Sequence, residues 1–134
     1  MTFEVIGKVR GKNRPRFARM GNFVKTYTDS DTLSYESEVK YAFLQAGGEK
    51  IDGMVKMVIE IYQTPPKSAS KKKAMEMLVH IIRPMKKPDL DNVAKIICDA
   101  LNKVAYEDDA QIVDLFVRKW YGEQEKVVVK ITKI

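Results

Sequence analysis

The sequence predicts an α+β fold: a single mixed β-sheet with about three helices packed on it. Three observations lead there. Several short runs rich in Val and Ile alternate with a period of two, as strands do. One stretch, 90–103, keeps a helical apolar face throughout. The elements follow in the order strand, strand, helix, strand, helix, helix, strand, strand, which suits one layered sheet. The 134 residues fit one ordinary domain, residues 1–134, and 45% hydrophobic residues can supply its core.

Each element has its own signal. Residues 2–9 read as a strand with Phe3, Val5 and Val9 on one face. Residues 8–19 read as a loop, broken by Gly11, Asn13 and Pro15. Residues 23–28 read as a short strand. Asp29, Ser30 and Asp31 offer caps for a helix reaching Gln45, loosely striped by Leu33, Val39, Tyr41, Ala42 and Phe43, and Gly47-Gly48 ends it. Residues 54–62 form a strand, which Thr64-Pro65-Pro66 breaks. A lysine-rich helix covers 68–78. In the helix at 90–103, Asn92, Lys95, Asp99 and Asn102 fall three, four and three residues apart, with Val93, Ile96, Ile97, Ala100, Leu101 and Val104 opposite them. Strands at 112–120 and 126–132 close the order around a turn at Gly122.

A formal charge of +6 and a pI near 9.3 favour an anionic partner, with nucleic acid the commonest candidate. One cysteine permits no internal disulfide, no apolar run has the length of a bilayer span, and residues 1–5 do not resemble a signal peptide. The expectation is a cytoplasmic protein with no membrane partner. P-loop, dinucleotide-fingerprint and zinc-ligand spacings are absent from the sequence, so no nucleotide cofactor is expected.

The chemistry lies in the acids. Asp89 and Asp91 are two residues apart before the helix, and in extended backbone they point the same way. Glu107-Asp108-Asp109 precedes the next strand, and a strand beside the Asp89 segment is expected to bring Asp109 to the same spot. Carboxylates that converge need a counter-charge, and all-oxygen ligation is what Mg²⁺ or Mn²⁺ prefers. Such an ion can activate water and offset charge on a phosphate. The structural alternative is that Asp91 caps the helix and that Glu107-Asp108-Asp109 is a solvated turn. The basic stretches supply DNA contacts: Arg14, Arg16 and Arg19 first, then Lys71, Lys72, Lys73, Lys86 and Lys87.

Pro88-Asp89-Leu90-Asp91-Asn92, then Lys95, Asp99-Ala100-Leu101-Asn102 and Tyr106-Glu107-Asp108-Asp109-Ala110-Gln111-Ile112 resemble the RusA-like Holliday-junction resolvases. Arg14-Pro15-Arg16-Phe17 and Pro65-Pro66-Lys67-Ser68 are similar to that family more loosely. The resemblance implies a RusA-like fold and a homodimer that nicks four-way DNA junctions in pairs with Mg²⁺, in recombination and repair. It implies Asp89, Asp91 and Asp109 as metal-binding catalytic acids, Lys95 as the catalytic lysine and Asp108 as a supporting or metal-binding acid. Two alternatives stand beside it: a metal-dependent nuclease for other branched DNA such as flaps or forks, and a non-enzymatic basic DNA-binding protein.

Among the remaining residues, Phe17 and Phe23 are expected in the core, with stacking on an unpaired base as the alternative. His80 reads as structural and Cys98 as a buried, reduced thiol.

Overall fold

The computed structural model describes residues 1–13, 16–27 and 29–134, and side chains outside positions 16, 20, 23 and 25–27. Four strands form the main sheet in the order β1-β6-β4-β5: β1 (Thr2–Ile6), β4 (Val55–Gln63), β5 (Ile112–Tyr121) and β6 (Lys126–Lys133). β6 pairs antiparallel with β1 and β4, whereas β5 runs parallel to β4, so the sheet is mixed as expected. Three helices accompany it: α1 (Ser30–Gln45), α2 (Lys71–Leu78) and α3 (Leu90–Leu101).

The period-two pattern explains the sheet's inner face. Phe3 and Val5 of β1, Met57, Ile59 and Ile61 of β4, and Val127, Val129 and Ile131 of β6 are all buried. They share one core with Val39 and Phe43 of α1 and with Val93, Ile96, Ile97 and Leu101 of α3. Each fully buried side chain of this kind contributes roughly 1.5–3 kcal/mol. The stripe of α1 differs from the expected one. Thr32, Tyr35, Val39 and Phe43 face inward, while Leu33 and Tyr41 are exposed. A spacing of three, four and four residues keeps one helical face, and Thr32 belongs to it although it is polar.

One strand lies where a loop was expected. β2 (Arg16–Met20) pairs antiparallel with β3 (Phe23–Tyr27) in a separate two-stranded ribbon. Phe17 is 72% exposed, so it is not a core residue. A ribbon held by its own ladder needs no apolar face, and so the sequence carries no alternation to reveal it. Phe23 is described only in its backbone.

Candidate active site

Helix α3 organises the site. Its N-cap is Asp89 rather than Asp91, in extended backbone (φ −70, ψ 147), and the Asp89 carboxylate makes no capping hydrogen bond. Asp91 lies in the first turn and is exposed, as is Lys95. The loop before α3 is tied to the sheet. The buried Gln63 side chain donates to the Lys87 carbonyl (3.0 Å), and the Lys119 ammonium donates to the Lys86 carbonyl. Lys119 also faces the Asp89 charge, and burial lowers its pKa.

The N-terminal basic segment closes over this end of α3. The Lys12 backbone N–H donates to the Asn92 carbonyl (2.8 Å). A Cβ at Gly11 would meet the Asn92 Cβ at 2.8 Å and the Pro88 Cβ at 3.2 Å, so the close approach depends on glycine. The Lys12 ammonium bridges Glu36 of α1 (3.1 Å) and Asp99 of α3 (3.3 Å). Asp99 in turn faces Lys95 at 4.0 Å. Lys8, Gly11, Lys12, Asn13, Lys87, Pro88, Asp89 and Asn92 line a cleft of about 360 Å³, with one acid among five cationic or amide side chains.

The second acidic cluster sits at the other end of the helix. Tyr106 is fully buried, and its hydroxyl donates to the Cys98 carbonyl (2.7 Å), which pins the turn to α3. The turn between them has no glycine, and Lys103 takes the left-handed conformation instead (φ 67). The Asp109 N–H donates to the Asn102 side chain (2.9 Å) and opens a 3₁₀ turn, Asp109–Gln111. Asp108 caps that turn, accepting from the Ala110 N–H (3.2 Å). Gln111 accepts from the Glu107 and Asp108 N–H groups and donates to the Ile51 and Gly53 carbonyls. A hydrogen bond with Asp108, burial and the charges of Asp108 and Asp99 raise the pKa of Asp109, opposed by Lys95.

Asp89 and Asp109 therefore do not converge within one chain. The helix between them sets the Asp89 cap about 20 Å from the Asn102 cap. Among the described residues, no three His, Cys, Asp or Glu side chains are placed to share a metal ion. The twelve residues of α3 stand between the two clusters, and the sequence spacing does not say at which end of the helix the second cluster lands. Asp108 holds a turn together, whereas the Asp89 carboxylate has no such local task.

The other expected contacts are spread over the surface. Arg19, Lys71, Lys72, Lys73, Lys86 and Lys87 are exposed, Arg14 lies outside the described residues, and Arg16 is described only in its backbone. His80 is exposed beside the Trp120 ring (4.7 Å between centroids), and Arg83 covers the same indole. Cys98 is buried, which pushes its thiol up to about 11 and keeps it protonated. Sequence reading assigned no role to Lys12, Asp99, Asn102, Gln111 or Lys119, although Asp99, Asn102 and Gln111 stand in the motifs that carry the family resemblance. Asn102 and Asp99 had a usable signal, since both stand on the polar side of α3.

Residues 7–132 match the family described as "Endodeoxyribonuclease RusA". The chain belongs to the RusA endodeoxyribonuclease family. It is also 36% identical over 135 residues to "Uncharacterized protein YqaN" of Bacillus subtilis strain 168, an alignment covering 98% of this chain and 95% of that relative. A DNA endonuclease is what this RusA membership implies, and the basic cleft beside Asp89 is the site described above that suits a DNA phosphate. No helix among the described residues is long and apolar enough to cross a membrane.

Proposed function

We propose that this RusA-family chain is a structure-selective endonuclease that acts as a homodimer on branched DNA, four-way junctions above all. It takes a hard divalent cation, Mg²⁺ or Mn²⁺, between Asp89 and Asp91 of one copy and Asp109 of the other. The observation that carries this reading is the uncapped Asp89 carboxylate, beside the exposed Asp91 and at the mouth of a basic cleft. A purely structural N-cap would hold an N–H of the first turn, so the plain DNA-binding alternative leaves this acid unexplained.

The dimer follows from the separation of the acids. Mg²⁺ holds its oxygen ligands at about 2.1 Å, which the length of α3 forbids within one chain. Two antiparallel copies would remove the obstacle. β5 is an edge strand whose outer side has no pairing partner among the described residues, and Val113, Leu115 and Phe116 on this strand are about half exposed. Antiparallel pairing of two β5 strands about a two-fold axis would set the Asp109 turn of one copy beside Lys119 of the other. Lys119 already neighbours Asp89 in its own chain. Once bound, the cation would supply positive charge against the attacked phosphate. The chain's own cations do the rest: Lys8 and Lys87 receive phosphate in the cleft, and Lys95, held by Asp99, faces the charge that builds during cleavage. Lys71, Lys72 and Lys73 crowd the positive end of α2, where they disfavour the helix and favour an anionic partner.

The test is cleavage of a synthetic four-way junction, a fork and a linear duplex, with and without Mg²⁺. Asp91→Asn and Asp109→Asn should each abolish nicking and leave junction binding intact. Mixing the two variants should restore nicking of a single strand, because one site of each mixed dimer then has all its acids. If each chain held a whole site, no mixture would nick. Absence of Mg²⁺-dependent nicking on every substrate would return the protein to the binding class.

A further inference from the structure

The β2–β3 ribbon stands outside the main sheet. Among the described residues its strands pair only with each other, and its five-residue ladder extends about 17 Å. The base is clamped: the Asn13 amide donates to the Asp29 carboxylate (2.8 Å), joining the chain just before the ribbon to the chain just after it. Asp29 also caps α1. Lys12, next to Asn13, is fixed to α1 and α3 by its two ion pairs. The ribbon therefore springs from the rim of the cleft that contains Asp89. Arg19 pairs with Val24, and Phe17 is two residues from Arg19, so the three share one face. All three are exposed, Phe17 at 72% and Val24 at 64%. Between Glu4 and Asp29 the sequence has seven Lys or Arg residues and no acid.

An exposed aromatic on a cationic two-stranded ribbon has chemistry that suits a nucleic acid. A groove admits such a ribbon, phosphates balance its charge, and apolar side chains can enter a base step that has lost its stacking partner. We propose that the ribbon is the element that senses branching: its Phe17–Arg19–Val24 face enters the branch point, and Phe17, nearest the cleft, stacks on a base exposed there. This rests on the reading of the chain as an enzyme of branched DNA and adds how a branch is told from plain duplex.

The experiment compares wild type, Phe17→Ala and Phe17→Trp for binding to a four-way junction and to a linear duplex of the same sequence, in EDTA so that no strand is cut. Phe17→Ala should weaken junction binding about tenfold or more and leave duplex binding unchanged. Phe17→Trp should keep the junction preference, and the emission of its added indole should fall on the junction and not on the duplex. Circular dichroism should show both variants folded, because the side chain they alter is exposed. Equal junction affinity for Phe17→Ala and wild type, or an equal loss on both DNAs, would overturn the proposal while leaving the endonuclease reading intact. A wild-type chain with no preference for the junction would overturn both.

Discussion

The Gln111 amide uses both of its hydrogens and its carbonyl oxygen to hold the turn that carries Asp109. Gln111→Leu removes all four bonds and should lower stability by about 1–3 kcal/mol, read from the urea midpoint. Nicking should fall further than stability does, since the Asp109 turn then loses its ties to the Ile51 and Gly53 carbonyls and keeps only the Asn102 contact, the Asp108 cap and its own backbone bonds. Lys12 is the second residue of consequence. Its ammonium stands between Glu36 and Asp99; burial opposes the charge, yet the two carboxylates raise its pKa above the ordinary value of 10.5. A raised pKa means that the folded state holds the proton more tightly. The stabilisation is complete below the unfolded value and is lost as pH rises through the folded one. The gap in stability between wild type and Lys12→Met should therefore hold steady from neutral pH to about pH 10 and close above it. A gap that closes at acid pH above the carboxylate range would contradict this.

Among the elements, β5 joins the fold to the proposed assembly. Leu115→Glu places a charge on the strand's exposed side without touching the acids, and should shift sedimentation at micromolar concentration from dimer to monomer. Nicking should fall with it, and the folded spectrum of the monomer should persist. A dimeric Leu115→Glu would move the contact elsewhere. The elements also differ in how openly the sequence announced them. α3 was legible almost to the residue because its polar positions fall every third or fourth place and the other side is wholly buried. β4 and β6 were legible because one face of each is core. β2 was not, because a ribbon outside the core leaves no apolar alternation, and its Arg-Phe-Ala-Arg-Met run follows residues that read as a loop.

On the scale of the whole molecule, sequence reading singled out the acids by local pattern and did not foresee how the fold spaces them. The identities of Asp89, Asp91 and Asp109 follow from local pattern, whereas their separation follows from the direction of α3 across the sheet. The Ile51 N–H bonds the Ala105 carbonyl near one end of β4, while Gln63 holds Lys87 at the other. Such long-range placement is set by tertiary packing and has no local signature. The same holds for Lys119, which comes near Asp89 from thirty positions further along the chain.

The sheet order has one more consequence, in the order of synthesis. β6, the last strand in sequence, lies between β1 and β4, and it is β1's only neighbour in the sheet. As a ribosome extends the chain, β1 waits unpaired while every other element emerges, and one edge of β4 stays open until residues 126–133 are free to enter. Folding of this sheet is thus held back until synthesis has passed β6. The nascent chain can display its basic segment to DNA early, but the core that orders the cleft closes last.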